Sequence, residues 1–216
     1  MNTERRNILK GAVMVGAGAA LVAESAHAQP APKVLFEAPR TTIPIVGTTD
    51  LFSVRRIYCI GRNYALTKNY HYEVELVAAL KSGGRNIPIE KALDHVYGYA
   101  VGLDMTRRDL QRAMGDEKKP WEIGKSFDKS APIGPLHRVE DVGHFTKGAI
   151  SLEVNGAVKQ KADLSFMIWS VAEQIAKLSE AFELFPGDII YSGTPENVGP
   201  VVRGDVILCK IEKLLD

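Results

Sequence analysis

Hydrophobic and polar positions alternate most regularly over residues 72–80. That period of two predicts a β-strand with Val74 and Leu76 on one face and Glu73 and Glu75 on the other. Residues 56–60 form a short apolar run closed by Gly61, and residues 96–103 a longer one. The first reads as a buried strand and the second as a further strand. Alternating runs at 149–154 and 157–161 flank Asn155-Gly156, the strongest short signal for a β-hairpin. Farther on, Pro186-Gly187-Asp188 and Gly204-Asp205 turn into apolar runs at 189–192 and 206–211. Helical periodicity is rarer. Residues 166–179 set Met167, Val171, Ile175 and Leu178 on one stripe, the best helix in the chain. Residues 87–93 predict a short helix entered through Pro88. Residues 106–114 predict another, with Thr106 as candidate N-cap and Asp109 three residues on. The sum is a mainly β domain with a few helices, an α+β class. Nothing alternates as βαβ units do, which argues against a doubly wound sheet.

The first part of the chain has a different pattern. Glu4-Arg5-Arg6-Asn7-Ile8-Leu9-Lys10 reads as a twin-arginine export motif, followed by an uncharged Gly/Ala/Val stretch over 11–23 and a small-x-small cleavage site, Ala26-His27-Ala28. The apolar stretch is too short for a membrane span. The expectation is an export signal over 1–28, a periplasmic mature chain, and no stable membrane insertion after cleavage. Pro30, Pro32, Pro39 and Pro44 then make residues 29–56 an extended arm or edge strand. The folded domain is expected over 57–216.

Composition narrows the function classes. An apolar fraction of 45% is too high for a disordered chain. With 27 basic and 26 acidic residues, charge offers no case for a nucleic-acid partner. Two cysteines, Cys59 and Cys209, cannot build a disulfide scaffold or a four-cysteine zinc site, and their apolar surroundings read as buried free thiols.

The sharpest chemical feature is Tyr72-Glu73-Val74-Glu75-Leu76. In a strand, Glu73 and Glu75 point the same way, roughly 6.6 Å apart. Two such carboxylates repel unless a cation lies between them, and oxygen-only ligation selects a hard ion such as Mg²⁺, Mn²⁺ or Ca²⁺. Asp104, at the end of the 96–103 run, would complete a set of three. The same Glu-x-Glu spacing also suits a solvated strand face.

Several blocks carry a resemblance. Gly61-Arg62-Asn63-Tyr64, Tyr72-Glu73-Val74-Glu75-Leu76, and Gly98-Tyr99 running on to Leu103-Asp104-Met105-Thr106-Arg107-Arg108-Asp109-Leu110-Gln111 come first. Lys125-Ser126-Phe127-Asp128, Ala131-Pro132-Ile133-Gly134-Pro135, Val154-Asn155-Gly156, Leu184-Phe185-Pro186-Gly187-Asp188 and Ser192-Gly193-Thr194-Pro195 follow in order. Together they resemble the fumarylacetoacetate hydrolase family, nearest its fumarylpyruvate and acylpyruvate hydrolase branch in aromatic-compound catabolism. The resemblance implies a mixed β-roll, usually homodimeric, that hydrolyses a C–C bond beside a 1,3-dicarbonyl. It implies a divalent metal, Mg²⁺ first, on Glu73, Glu75 and Asp104. Lys125, Arg108 and Gln111 then stabilise an oxyanion, and Arg62, Tyr64 and Thr194 contact a small oxo-acid substrate.

The chain departs from that pattern at one place. Only Ala65 to Tyr72 lies between Tyr64 and Glu73, where family members carry a longer stretch with a lid helix and the His and Glu that activate water. His71 shares the strand face of Glu73 and Glu75 and is the nearest candidate replacement base. Three functions follow as expectations: an acylpyruvate hydrolase weakened by loss of the lid, a 2-oxo-acid decarboxylase or tautomerase, and a non-catalytic periplasmic binding protein.

Overall fold

The computed structural model describes residues 41–59 and 72–214. The 1–28 signal, the start of the arm, Arg62, Tyr64, His71 and the junction 65–71 lie outside the described residues. All described residues belong to one compact unit.

The strands are β1 (Thr42–Pro44), β2 (Leu51–Ser53), β3 (Arg56–Cys59), β4 (Val74–Leu80), β5 (Val96–Leu103), β6 (His137–Arg138), β7 (Ala149–Val154), β8 (Ala157–Asp163), β9 (Asp188–Tyr191) and β10 (Ile207–Ile211). The α-helices are α1 (Ile89–Ala92), α2 (Arg108–Asp116), α3 (Val139–Val142) and α4 (Val171–Ala181). Among the described residues the strands make a two-stranded sheet β1-β2, a three-stranded sheet β10-β7-β8 and a five-stranded sheet β3-β9-β4-β5-β6. The mixed-sheet α+β class expected from the sequence is the class observed.

Strand β4 is buried on both faces. Val74, Leu76, Ala78 and Leu80 pack in a cluster with Ile150 and Leu152 of β7, Ile175 of α4 and Ile211 of β10. Val77 and Ala79 face a second cluster with Ile43, Ala100, Leu136, Ile189 and Tyr191. The proline-rich segment thus contributes Ile43 of β1 to the core. Glu73 and Glu75 lie in register with Val77 and Ala79, so the two carboxylates continue a buried face and are not on a solvated one.

The hairpin at Asn155-Gly156 joins β7 to β8, with φ of 53° and 78° at its two central residues. Positive φ at both positions is what a type I′ turn requires. Three expectations change. The helix read over 166–179 begins only at Val171, because Ser170 and Glu173 form a capping box. Before it, Leu164–Phe166 make a single 3₁₀ turn. The helix read from Thr106 begins at Arg108. Thr106 is buried and caps nothing, while Arg107 N–H donates to Gly124 O at 2.8 Å. Ile57 is 42% exposed, on a strand that pairs, among the described residues, with β9 alone. Cys209 is a half-buried free thiol whose pKa burial pushes up to about 12. Among the described residues, no helix is long and apolar enough to cross a membrane.

Candidate metal centre and active site

Pairing of β4 with β5 sets the site. Val74 lies opposite Leu103, so Glu73 and Asp104 are neighbours just beyond the paired ends, and Asp104 N–H donates to Glu73 O at 2.9 Å. Glu75 is one step inside β4. One carboxylate oxygen from each of Glu73, Glu75 and Asp104 lies within 4.8 Å of the others, and all three residues are buried. Glu75 is only 1% exposed.

Among the described residues, Lys125 and Arg108 face them. Lys125 Nζ donates to Glu73 Oε2 at 2.8 Å and to Asp104 Oδ2 at 2.7 Å. Arg108 Nη2 lies 3.5 Å from Glu73 Oε1, and Arg108 Nη1 donates to Gln111 Oε1. These cations are held by local backbone. Met105 N–H donates to Ser130 O at 2.7 Å and Lys125 N–H to Glu122 O at 2.8 Å, so the loop carrying Lys125 docks on the segment leaving β5. Gly124 makes the approach possible: a Cβ there would lie 2.7 Å from Gln111 Cβ and 3.0 Å from Gln111 Cα.

Among the described residues, the site sets three carboxylates against one lysine and one arginine. Burial raises the Glu73 pKa, with Asp104 adding to the rise and Lys125 and Arg108 opposing it. Burial also raises Asp104, again against Lys125. Glu75 is driven well up, by burial first and then by Asp104 and Glu73. Burial pulls the Lys125 ammonium down, but Glu73 and Asp104 outweigh it and hold the pKa above its ordinary value.

Glu75 Oε2 accepts from Gly193 N–H at 2.8 Å, whereas its buried Oε1 has no hydrogen-bond partner among the described residues. Such an orphaned carboxylate oxygen is costly. An all-oxygen set of three converging carboxylates with one unsatisfied oxygen fits a hard divalent cation.

Thr194 and two histidines are held as follows. Thr194 Oγ1 donates to Val74 O at 2.9 Å and accepts from Gln160 Nε2 at 3.0 Å, so its one proton is used within the scaffold. His95 Nδ1 is paired with Ser82 and His144 Nδ1 with Tyr99, each at 2.8 Å. Gln160 and Gln174, both buried and both bonded to the segment after β9, were not legible as site residues. Gln160 sits in the polar run Lys159-Gln160-Lys161, and a register shift in the β7–β8 pair between Leu152 and Glu153 decides which of the three faces inward.

The chain matches the fumarylacetoacetate (FAA) hydrolase C-terminal family over residues 8–215. It belongs to that family. This family match opens inside the segment expected to be an export signal. A fumarylpyruvate hydrolase from Ralstonia sp is 45% identical over 150 residues, which cover 69% of this chain and 78% of that relative. A mitochondrial oxaloacetate tautomerase of Homo sapiens is 38% identical over 151 residues, covering 70% of this chain and 68% of the relative. Among solved structures of the fumarylacetoacetate hydrolase type, the fumarylpyruvate hydrolase from Pseudomonas aeruginosa in complex with Mn²⁺ and pyruvate superposes with a TM-score of 0.79. It is 45% identical, with 83% of this chain and 94% of that chain covered.

Proposed function

We propose that this protein is a divalent-metal-dependent hydrolase of an acylpyruvate, fumarylpyruvate or a close 2,4-dioxo acid. The observation that carries the reading is the convergence of Glu73, Glu75 and Asp104 within 4.8 Å beside Lys125. The likeness to fumarylpyruvate hydrolases supports the substrate class.

Glu73, Glu75 and Asp104 would hold the divalent ion, Mg²⁺ or Mn²⁺, which would supply Lewis-acid chemistry for a dioxo acid. Water adds to the acyl carbonyl, the C–C bond breaks, and its electron pair leaves on the pyruvate carbon, which then takes a proton. Lys125 and Arg108 present N–H donors where the oxyanion develops, which lowers the barrier most in a partly dry site. Gln111 holds the Arg108 guanidinium in place. The family resemblance assigns substrate contact to Arg62 and Tyr64, and Thr194 fixes the turn beside Glu75.

The short junction after Tyr64 favours a second reading, an oxaloacetate tautomerase or 2-oxo-acid decarboxylase. That chemistry needs enolate stabilisation but no activated water, so loss of a lid base harms it less. The test is loss of diketo-acid absorbance on addition of purified protein with Mn²⁺ or Mg²⁺. Metal-dependent turnover of fumarylpyruvate supports the hydrolase. Turnover of oxaloacetate alone supports the second reading, and metal and oxo-acid binding without any turnover marks a binding protein.

The twin-arginine pattern supports export with cleavage after Ala28, and a homodimer in the periplasm is the expected form. Protein from the periplasmic fraction should begin at Gln29. Met1 retained on cytosolic protein would reject export.

A further inference from the structure

Strand β4 runs on past the end of β9. Val77 pairs with Tyr191 and Ser192 N–H still donates to Leu76 O at 3.0 Å, after which the chain leaves the sheet. Glu73 O accepts from Asp104 N–H on the β5 side. The peptide groups of Val74, the residue between Glu73 and Glu75, therefore face the side where β9 has ended. Both are satisfied by side chains. Val74 N–H donates to Gln160 Oε1 at 3.1 Å, and Val74 O accepts from Thr194 Oγ1 at 2.9 Å. Gln160 comes from β8, in the other sheet, and is fully buried. Its Nε2 donates to Thr194 Oγ1 at 3.0 Å, Pro195 O at 2.9 Å and Glu196 O at 3.3 Å. One carboxamide thus replaces the missing strand and ties the start of β4 to the segment after β9.

A second carboxamide grips the same segment. Gln174 of α4, also buried, donates from Nε2 to Ser192 O at 3.2 Å and Trp169 O at 2.9 Å. The N–H of that Ser192–Gly193 peptide is the one that donates to Glu75 Oε2. In a trans peptide the carbonyl and N–H point in opposite directions, so a donor fixed on Ser192 O aims the Gly193 N–H at Glu75. Among the described residues, the Gln174 Oε1 has no hydrogen-bond partner.

We propose that Gln160 and Gln174 are positioning residues for the carboxylate triad. Neither touches it. They fix the Val74 peptide and the Ser192–Gly193 peptide, and through them the aim of the Glu73 and Glu75 carboxylates. The inference rests on the triad being a divalent-cation site.

The test uses the full chain with Gln160→Met, Gln174→Met and, as a control, Leu184→Ala, which cuts into the same buried cluster before β9, where the backbone of Leu184 pairs with Gly84. Mn²⁺ binding to metal-free protein is read from the resonance of free Mn²⁺, beside the thermal midpoint. Each glutamine variant should lose roughly tenfold or more in Mn²⁺ affinity, while Leu184→Ala, at an equal or larger loss of midpoint, stays within about twofold of wild type. Should Gln160→Met fail to fold, Gln160→Glu keeps the acceptor for Val74 N–H but sets a carboxylate against the Pro195 and Glu196 carbonyls, and is read the same way. Unchanged Mn²⁺ affinity in the glutamine variants, or an equal fall in Leu184→Ala, overturns the proposal. A wild type that binds no Mn²⁺ removes the triad reading and this inference with it. A wild type that binds Mn²⁺ without turning over acylpyruvate removes only the hydrolase reading, and the glutamine variants still decide this one.

Discussion

Glu75 has one carboxylate oxygen on the Gly193 N–H and the other buried without a partner among the described residues, with two further carboxylates close by. In the absence of a cation this arrangement opposes folding. Replacing the charge by an amide, Glu75→Gln, should therefore stabilise the metal-free protein at neutral pH by roughly 1–3 kcal/mol and abolish Mn²⁺ binding. Denaturant unfolding in chelator and calorimetry with Mn²⁺ check the two halves, and a less stable variant in chelator would contradict the first. Lys125 poses the converse case. Its ammonium occupies Glu73 Oε2 and Asp104 Oδ2, so it competes with a cation for the same oxygens. Lys125→Met should leave Mn²⁺ affinity equal or higher while turnover falls about 10²- to 10³-fold. Loss of metal binding in that variant would instead make Lys125 a support of the triad. At this scale the acidic residues were legible because strand periodicity alone puts Glu73 and Glu75 on one side. Gln160 and Gln174 were not, since a buried amide and a solvated one look alike until the register is known.

Elements whose signal is local are legible in the sequence. The β7–β8 hairpin follows from Asn155-Gly156, and β4 and β5 follow from their apolar runs. What the pattern lacked was long-range pairing. The parallel match of β3 with β9 joins segments from opposite ends of the domain, and no short-range signal records it. Helix starts were misplaced where capping chemistry, not periodicity, fixes them, as at Ser170. The contact between α2 and the turn over 122–124 matters most for the site, because α2 carries Arg108 and Gln111 while Lys125 follows the turn directly. A methyl group at Gly124 would strike Gln111 Cβ and backbone, neither of which is a flexible side-chain tip. Gly124→Ala should force the two cations apart and lower kcat by about 10²-fold, since displacements near 1 Å cost that much in a site built on orientation. The circular dichroism spectrum and Mn²⁺ affinity should stay near wild type, and an unchanged kcat would show that the contact does not set the geometry.

Across the whole molecule, two clusters bury both faces of the central sheet, and the triad lies where the second of them ends. Folding therefore commits three carboxylates to a place that raises all their pKa values. The folded metal-free protein holds protons that the unfolded chain releases above the usual Glu value of 4.5 and Asp value of 3.8. Stability from these groups is full below that range and is lost as pH rises through their folded pKa values. Other groups slope the opposite way. Asp163, Glu173 and Asp205, held low chiefly by hydrogen bonds, lose stability as pH falls, and His144, held low by burial, adds stability as pH rises. Lys125, held high, stays charged in both states through this window. These contributions are shared by wild type and Glu75→Gln, so their difference isolates the largest member of the triad. In chelator, the thermal midpoint of wild type should fall relative to Glu75→Gln as pH rises from about 4.5 to neutrality. Saturating Mn²⁺ binds only the folded state and displaces those protons, so it should raise the wild-type midpoint, more at neutral pH than at acid pH. A midpoint difference that stays flat with pH in chelator would mean that Glu75 enters the folded state already ionised, and that Lys125 and Gly193 suffice to hold its charge.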